Sequence, residues 1–412
     1  MKLLPNFWIT LVLVSLTYIG IAVGRWPSLR ANRTTIALMG AGLLVFTRQI
    51  DFHDISSFLD LDTLILLFSM MVINANLRLA GFFGLAGNAL LRLTRNPRKF
   101  LALEILVAGL LSALFLNDTI CLMFTPLVLD LTLTIGRNPI PYLIALATSA
   151  NIGSTATLTG NPQNMIIGVA SGISYIDFSA ALAPIALLSM AVIWFILIKL
   201  YPQEFGRRNL FKIQPTTRAP YYPALLLKCV VIITALLVAF LVGAPIAEAS
   251  FLAACAMLFT RRIKPEKVFA EFDWGLLVFF GALFIVTGSL ESNGITKQIG
   301  QLSVMVQKID ALNLSALSLV LSNLVSNVPA VLLLRSLVNT LPDANAGWLT
   351  LAASSTLAGN LTLLGSVANL IVAEIAERRK IHLGFWEYTK AGILITLISL
   401  VISTVWLHFI IW

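Results

Sequence analysis

Apolar runs of about the length that a membrane requires recur from one end of this 412-residue chain to the other, at 7–24, 34–47, 62–81, 100–135, 141–170, 179–200, 223–243, 247–260, 273–290, 312–338, 347–375 and 389–412. A tilted helix needs ~20 such residues to cross the hydrocarbon, and a backbone inside lipid has only the helix and the closed barrel open to it. Runs of this length read as helices. Charge agrees, since only 11% of residues are Asp, Glu, Lys or Arg, against about one quarter in soluble domains. The expected fold class is therefore an all-α integral membrane protein with about 10 transmembrane helices, and no soluble domain fits between the runs. The first run, "FWITLVLVSLTYIGIAVG", lacks a strongly basic start and a small-x-small cleavage site before Arg25, so it reads as a span and not as a signal peptide.

The formal net charge is +9, which in a soluble chain would suggest nucleic acid. In a membrane chain the position of the Lys and Arg residues orients the spans instead. With an outside N-terminus, and with 100–135 and 312–338 each returning to the side they enter, the inside loops collect 23 of the 28 basic residues. Lys2, Arg48, Lys297, Lys308 and Arg335 remain outside, beside the acidic loop "DFHDISSFLDLD". Multi-pass insertion in the plasma (inner) membrane, both termini outside and no nucleic-acid partner are the expectations. Cys121, Cys229 and Cys255 lie singly in apolar runs, so neither a disulfide framework nor a zinc site is indicated.

The chain repeats itself. "LLVFTRQI" from Leu43 returns as "AMLFTRRI" from Ala256, and "DTLILLF" from Asp62 as "DWGLLVF" from Asp273. The run around Asn117 meets the run around Asn327, and "TLTGNPQNMII" from Thr157 meets "TLLGSVANLIV" from Thr362, which sets Gly160 opposite Gly365 and Asn164 opposite Asn369. The order never changes, so the chain is a duplication. The first repeat is 1–218, with scaffold spans in 7–81, a hairpin at 100–135, a broken helix at 141–170, a last span at 179–200 and a cytoplasmic linker at 201–222. The second is 223–412, with scaffold spans in 223–290, hairpin 312–338, broken helix 347–375 and last span 389–412. Each half makes an odd number of crossings, so the second is expected to be inserted upside down, the inverted-repeat plan of secondary transporters.

The run 141–170 would be ~45 Å long as one straight helix, too long for ~30 Å of hydrocarbon. Its centre, "NIGSTATLTGNPQN", holds Gly153, Gly160 and Pro162 among polar residues. Backbone freed at such a break cannot face lipid and has to line a protein-enclosed cavity. Ser154, Thr155, Thr157, Thr159, Gly160, Asn161 and Asn164 become candidate ligands, with Ser355, Thr356, Asn360, Thr362, Gly365, Ser366 and Asn369 in the second break. Small polar residues can also serve only to bring helices close together. The hairpins carry polar tips, "FLNDT" with Asn117, Asp118 and Thr119, and "VSNVP" with Ser326 and Asn327. They read as re-entrant hairpins that turn beside the broken helices; two ordinary spans joined by a tight turn are the plainer alternative. Asp118 is an ionisable group in an apolar run, which marks an ion or proton pathway, although an Asp there can also cap the helix that follows. Glu104, Glu248 and Glu374 sit nearer the ends of runs and are expected to be solvated or to snorkel.

These residues also resemble a known group. "NDTICLMFTPLVL", "NIGSTATLTGNPQNMIIG", "SNLVSNVPAV" and "STLAGNLTLLGSVANLIV" are similar, in order and over nearly the whole chain, to the ion transporter superfamily. Within it they resemble the arsenite permeases, plant silicon-efflux transporters and related anion permeases. The resemblance implies a homodimer that works by an elevator movement, with substrate and coupling ion held between hairpin tips and broken helices. The sodium-coupled dicarboxylate branch carries Ser-Asn-Thr at both tips; here the tips read Leu116-Asn117-Asp118 and Ser326-Asn327-Val328. That departure favours proton-coupled efflux of a small inorganic solute such as arsenite, antimonite or silicate, with protons coupled at Asp118, no resident metal or other cofactor, and sodium at the Asn-rich tips as the alternative. Sodium-coupled symport of carboxylates or sulfate is the second reading. An intramembrane enzyme is disfavoured, because no His-Glu-x-x-His, paired deep acids or acidic magnesium cluster is present, and His53, His382 and His408 fall in loops or at the end of the last span.

Overall fold

The structure, a computed structural model, describes residues 5–23, 31–93, 96–206, 221–261, 263–295 and 310–410. Lys2, Arg25, Arg30, Arg95, Arg207, Arg208, Lys212, Arg218, Arg262, Lys297 and Lys308, with most of the 201–222 linker, lie outside the described residues. The first half runs α1 (Pro5–Val23), α2 (Arg33–Phe46), a short α3 (Ile55–Phe58), α4 (Leu61–Leu79), α5 (Phe82–Leu93), α6 (Pro97–Leu114), α7 (Asn117–Thr134), α8 (Ile140–Ser154), α9 (Pro162–Ser171) and α10 (Tyr175–Leu200). The second runs α11 (Pro223–Leu241), α12 (Ile246–Leu258), a short α13 (Pro265–Phe269), α14 (Trp274–Ser292), α15 (Ala311–Val325), α16 (Asn327–Val338), α17 (Ala344–Ala358), α18 (Val367–Arg378) and α19 (Phe385–Ile410). Among the described residues, five helices are long and apolar enough to cross a membrane: 61–80, 175–200, 223–241, 274–292 and 385–409.

Helix packing repeats with the halves exchanged. α2 lies on α14 as α4 lies on α12; α6 packs on α8 as α15 packs on α17; and α8 meets α10 as α17 meets α19. The two last helices, α10 and α19, pack on each other. These pairings place α8 and α17 at the centre. In α8, every residue from Pro141 to Ser154 is buried, and in α17 every residue from Ala346 to Ala358.

Both central helices stop inside the protein. α8 gives way to seven non-helical residues before Pro162, which starts α9 where its missing N–H costs nothing. The Asn161 side chain caps α9 by accepting from Asn164 N at 2.8 Å, as Ser366 caps α18 by accepting from Ala368 N at 3.2 Å. One amide then braces each break. Asn164 Nδ2 donates to the carbonyls of Ser154 (3.1 Å) and Thr157 (2.9 Å), and Asn369 Nδ2 to those of Gly359 (2.8 Å) and Thr362 (3.1 Å). Each break also holds its own hairpin. Asn117 N donates to Gly160 O at 3.0 Å and Thr157 Oγ1 to Ala113 O; Asn323 Nδ2 donates to Ala358 O at 3.0 Å and Thr362 Oγ1 to Asn323 Oδ1 at 3.4 Å.

Gly153 serves close approach. A Cβ there would collide with the backbone of Gly109, so α6 and α8 touch main chain to main chain. At the second tip a single residue, Ser326, joins α15 to α16 with φ +80°, a backbone conformation that non-glycine residues rarely adopt.

One sequence expectation is corrected. Glu248 is exposed and Glu374 pairs with Arg378 at the surface, as expected of run ends, but Glu104 is 1% exposed and neither carboxylate oxygen has a hydrogen-bond partner. It lies two turns into α6, on a helix packed closely against α8, near Tyr142. Depth along a run does not say which face a neighbour covers.

Two consequences can be measured. Replacing Asn164 by Ala takes the donor from the Thr157 carbonyl and replacing Asn369 by Ala takes it from the Gly359 carbonyl, while Ser154 O keeps Asn161 Nδ2 and Thr362 O keeps Gly365 N. At about 1 to 3 kcal/mol for a buried group left unpaired, both variants should unfold at lower temperature in detergent. The sequence alone would assign these asparagines to binding with little loss of folded protein; an unchanged melting temperature would restore that view. Gly153→Ala should cost more stability than Gly109→Ala, because the first meets backbone and the second meets the flexible Met190 side chain. Overpacking typically costs about 1 to 3 kcal/mol.

Candidate substrate site

A cavity of about 800 Å³ lies where the two hairpin tips and the second halves of both broken helices meet the scaffold helices α2 and α14. Six helices begin at its wall: α2 at Asn32–Thr34, α7 at Asn117, α9 at Pro162, α14 at Asp273, α16 at Asn327 and α18 at Ser366. A helix N-terminus presents unsatisfied N–H groups and the equivalent of about half a positive charge. α9, α18, α14 and α2 spend some of their N–H groups on side-chain caps, whereas α7 and α16, the tip helices, have no side-chain cap. Asn117 N is taken by Gly160 O and Pro329 has no N–H, so the first-turn groups open to a solute are those of Asp118 and Thr119 in α7 and of Asn327 and Val328 in α16.

Carboxylates oppose that positive field. Asp118 projects from the first tip, and Asp273, which caps α14 by accepting from Leu276 N at 3.1 Å, stands close enough to act on it electrostatically. Glu374 and Glu377 line the cavity further out, with Glu377 bonded to His382 at 3.0 Å; Arg33 is the one Lys or Arg among the described lining residues.

Behind the tips lies a network of amides whose orientations follow from one another. Asn369 must turn its NH2 toward the carbonyls of Gly359 and Thr362, so its Oδ1 is left to accept from Asn151 Nδ2 at 3.0 Å. The same Nδ2 donates to Asn360 Oδ1 at 2.9 Å. Asn151 Oδ1 then accepts from Asn117 Nδ2 (3.0 Å) and Ser366 Oγ (3.1 Å). That leaves Asn117 Oδ1 as the free end of its amide: it is buried, without a partner, on a residue of the cavity wall. Asn327 Oδ1, on the other tip, is in the same condition.

Of the residues singled out in the sequence, Asn117, Asp118, Ser326, Asn327 and Ser366 line the cavity. The others stand behind that wall. Ser154 and Thr155 donate back to Asn151 O at 2.8 and 3.3 Å; Asn161 and Gln163 donate to Thr356 Oγ1 at 3.3 and 3.1 Å; and Asn360 Nδ2 donates to Thr148 O at 3.4 Å. Asn164, Asn369, Thr157, Thr362 and Gly160 hold the breaks as described above, and Gly365 N donates to Thr362 O. Ser355 donates to Ala352 O within its own helix, Thr159 is buried, and Thr119 is half-buried on the first turn of α7. Sequence reasoning missed Asn151, Gln163, Arg33 and Asp273. The signal for Asn151 was present, because it opens the polar stretch and stands in register with Thr356.

Comparison with known proteins gives the family and the fold. Over 90% of its length, the chain is 32% identical to the silicon efflux transporter LSI3 of Oryza sativa subsp. japonica, of which it covers 91%. It is 30% identical to a 46 kDa membrane protein of Mycobacterium leprae (92% and 94% covered) and 25% identical to the putative transporter arsB of Dictyostelium discoideum (97% and 91%). The fold is that of the Alcanivorax borkumensis YdaH transporter, with a TM-score of 0.62 at 14% identity over 98% of this chain and 97% of that one. The homologues and the fold are those of transporters and not of enzymes. The CitMHS citrate transporter model matches residues 18–358, and the chain belongs to that family, within the ion transporter superfamily.

Proposed function

We propose that this secondary transporter moves a small hydroxylated inorganic weak acid or its anion, of the silicate, arsenite or antimonite kind, outward across the membrane in exchange for protons. The observation that carries the reading is the set of polar groups left without partners on residues of the cavity wall. Two amide oxygens, on Asn117 and Asn327, and the Asp118 carboxylate accept hydrogen bonds, while the uncapped first turns of α7 and α16 donate them. A solute that fits both must donate and accept, as an undissociated oxyacid does. A tricarboxylate would meet four carboxylates, Asp118, Asp273, Glu374 and Glu377, with only Arg33 as a fixed cation. The names of LSI3 and arsB point the same way. Sodium-coupled uptake of carboxylates or sulfate is the second reading, favoured by the printed family description and by six helix N-termini around a cavity roomy enough for citrate.

The exchange of halves in the packing supports inverted repeats, with 1–218 and 223–412 as the two units. The cavity lies between the tips on one side and α2 and α14 on the other, the seam along which an elevator would slide, in a homodimer. Arg33, Asp273, Glu377 and His382 at its wall belong to the loops that carry most of the basic residues, so it opens toward the cytoplasm. A passive channel fits less well. The far ends of α14 and α16 line a separate pocket of about 250 Å³, where Arg335 approaches Asp60 at 3.9 Å, and fully buried Ala330 and Val331 lie along α16 between the two.

Topology is testable with Lys99→Cys and Asn313→Cys, both exposed positions at hairpin entrances, in a background without Cys121, Cys229 and Cys255. Impermeant thiol reagents should label the first from inside and the second from outside; labelling of both from one face would remove the inverted arrangement. Coupling is testable in proteoliposomes with imposed pH or sodium gradients. Asp118→Asn should abolish proton-driven accumulation of arsenous or germanic acid while counterflow exchange persists in part. Transport by this variant that still follows the pH gradient would leave Asp118 as an acid of the helix N-terminus only, and a sodium requirement in the unaltered protein would select the second reading.

A further inference from the structure

Beside the bonds of Asn161 and Gln163 to Thr356 and of Asn360 to Thr148 O, one side chain joins amides of both halves and the first hairpin tip at once. Asn151, 1% exposed at the end of α8, donates through Nδ2 to Asn360 and Asn369 of the second half and accepts through Oδ1 from Asn117 and Ser366. It is not part of the cavity wall. Its orientation is not free, because Asn369 is locked by two backbone carbonyls and can offer Asn151 only an oxygen. Asn117 in turn is offered only an oxygen, and has to answer with its NH2. The amide of the first tip, on a residue of the cavity wall, is therefore held with its NH2 toward Asn151 and its oxygen buried and unpartnered, as a consequence of how the helix break of the other half is braced.

We propose that Asn151 is a positioning residue that sets the solute preference of the cavity: by holding the Asn117 amide in one of its two orientations, it makes the first tip an acceptor and selects solutes that arrive as hydrogen-bond donors. This rests on the reading that the cavity is the transport site. Released from Asn151, the Asn117 amide could turn over and offer its NH2 instead, a donor that suits an anion without protons to give. A change at the second break is thereby felt at the first tip without any movement of the helices.

Three variants separate the possibilities, with uptake of arsenous acid into proteoliposomes at neutral pH and its inhibition by sulfate as the probes, both normalised to folded transporter. Asn151→Leu fills the volume but holds nothing; half-saturation by arsenous acid should rise by roughly 5- to 150-fold, the cost of one buried hydrogen bond, sulfate should become the better inhibitor, and the maximal rate should change little. Asn151→Asp, as the neutral acid, still turns an oxygen toward Asn117 and can donate its proton to Asn369, so it should restore the preference for arsenous acid even if the protein melts earlier. A merely structural Asn151 would not distinguish these two in selectivity. Wild-type preference in Asn151→Leu, or equal loss of preference in both variants, overturns the proposal. Asn117→Leu guards the underlying reading: if it leaves the half-saturation unchanged, the cavity is not the transport site, whereas impairment there with an unaffected Asn151→Leu removes the positioning role alone.

Discussion

A helix cannot stop inside a bilayer unless something else takes the hydrogen bonds it gives up. Two helices of this protein stop at its centre, and the rest of the architecture depends on how their freed groups are answered. Asn164 and Asn369 each turn an NH2 onto two carbonyls of the break, Asn161 and Ser366 cap the helices that resume, and Asn117 and Asn323 tie the hairpins on. Once both breaks are satisfied from within, the second-half helices can start at a common place. The convergence of N-termini on one cavity is then a geometric result of where the helices are interrupted.

The breaks were legible because Gly, Pro and Asn cluster where the apolar pattern would otherwise continue, and the repeat was legible because the clusters return in order. Helices turn at Asn117 and Asn327, where the polar tips lie, whereas α5 and the short α3 and α13 fall between the apolar runs and have no counterpart in the sequence reading. What the pattern could not say is which polar residue of a break faces inward to the chain and which outward to a solute. Asn164 reads as a ligand, but its NH2 is spent on the Ser154 and Thr157 carbonyls. That outcome depends on where the non-helical chain carries those carbonyls, which has no periodicity to read. Asp273 and Arg33 were missed for a different reason: they look like the ordinary polar end of a span, and only the packing of α2 on α14 brings them to the tips. Glu104 shows the same limit from the other side, since only the approach of α8 decides that it is covered.

The two halves share an architecture and differ in chemistry at matching places. Asp118 stands where the second half has Val328, Pro162 where it has Val367, and Gln163 where it has Ala368. The first tip takes two residues, Phe115 and Leu116, while the second turns on Ser326 alone at φ +80°. A duplicated frame with equivalent sites would treat its two faces alike. Here the acid comes from one tip and the strained turn from the other, so a solute in the cavity would touch unlike partners in the two halves.

Electrostatics then narrows what such a cavity can hold. Six N-terminal dipoles favour negative charge, while Asp118 and Asp273 near the tips, with Glu374 and Glu377 toward the mouth, oppose it. A multiply charged anion would gain from the first and lose to the second, and its balance would shift with every proton taken up by the carboxylates. An uncharged hydroxylated acid, the solute proposed above, would avoid both terms and would be held by hydrogen bonds alone, its donors to Asn117 and Asn327 and its oxygens to the first turns of α7 and α16. Under the proposed function Asp118 would be free to carry protons because the solute would not require its charge, and the amide network behind it would supply the selectivity that a fixed cation supplies elsewhere.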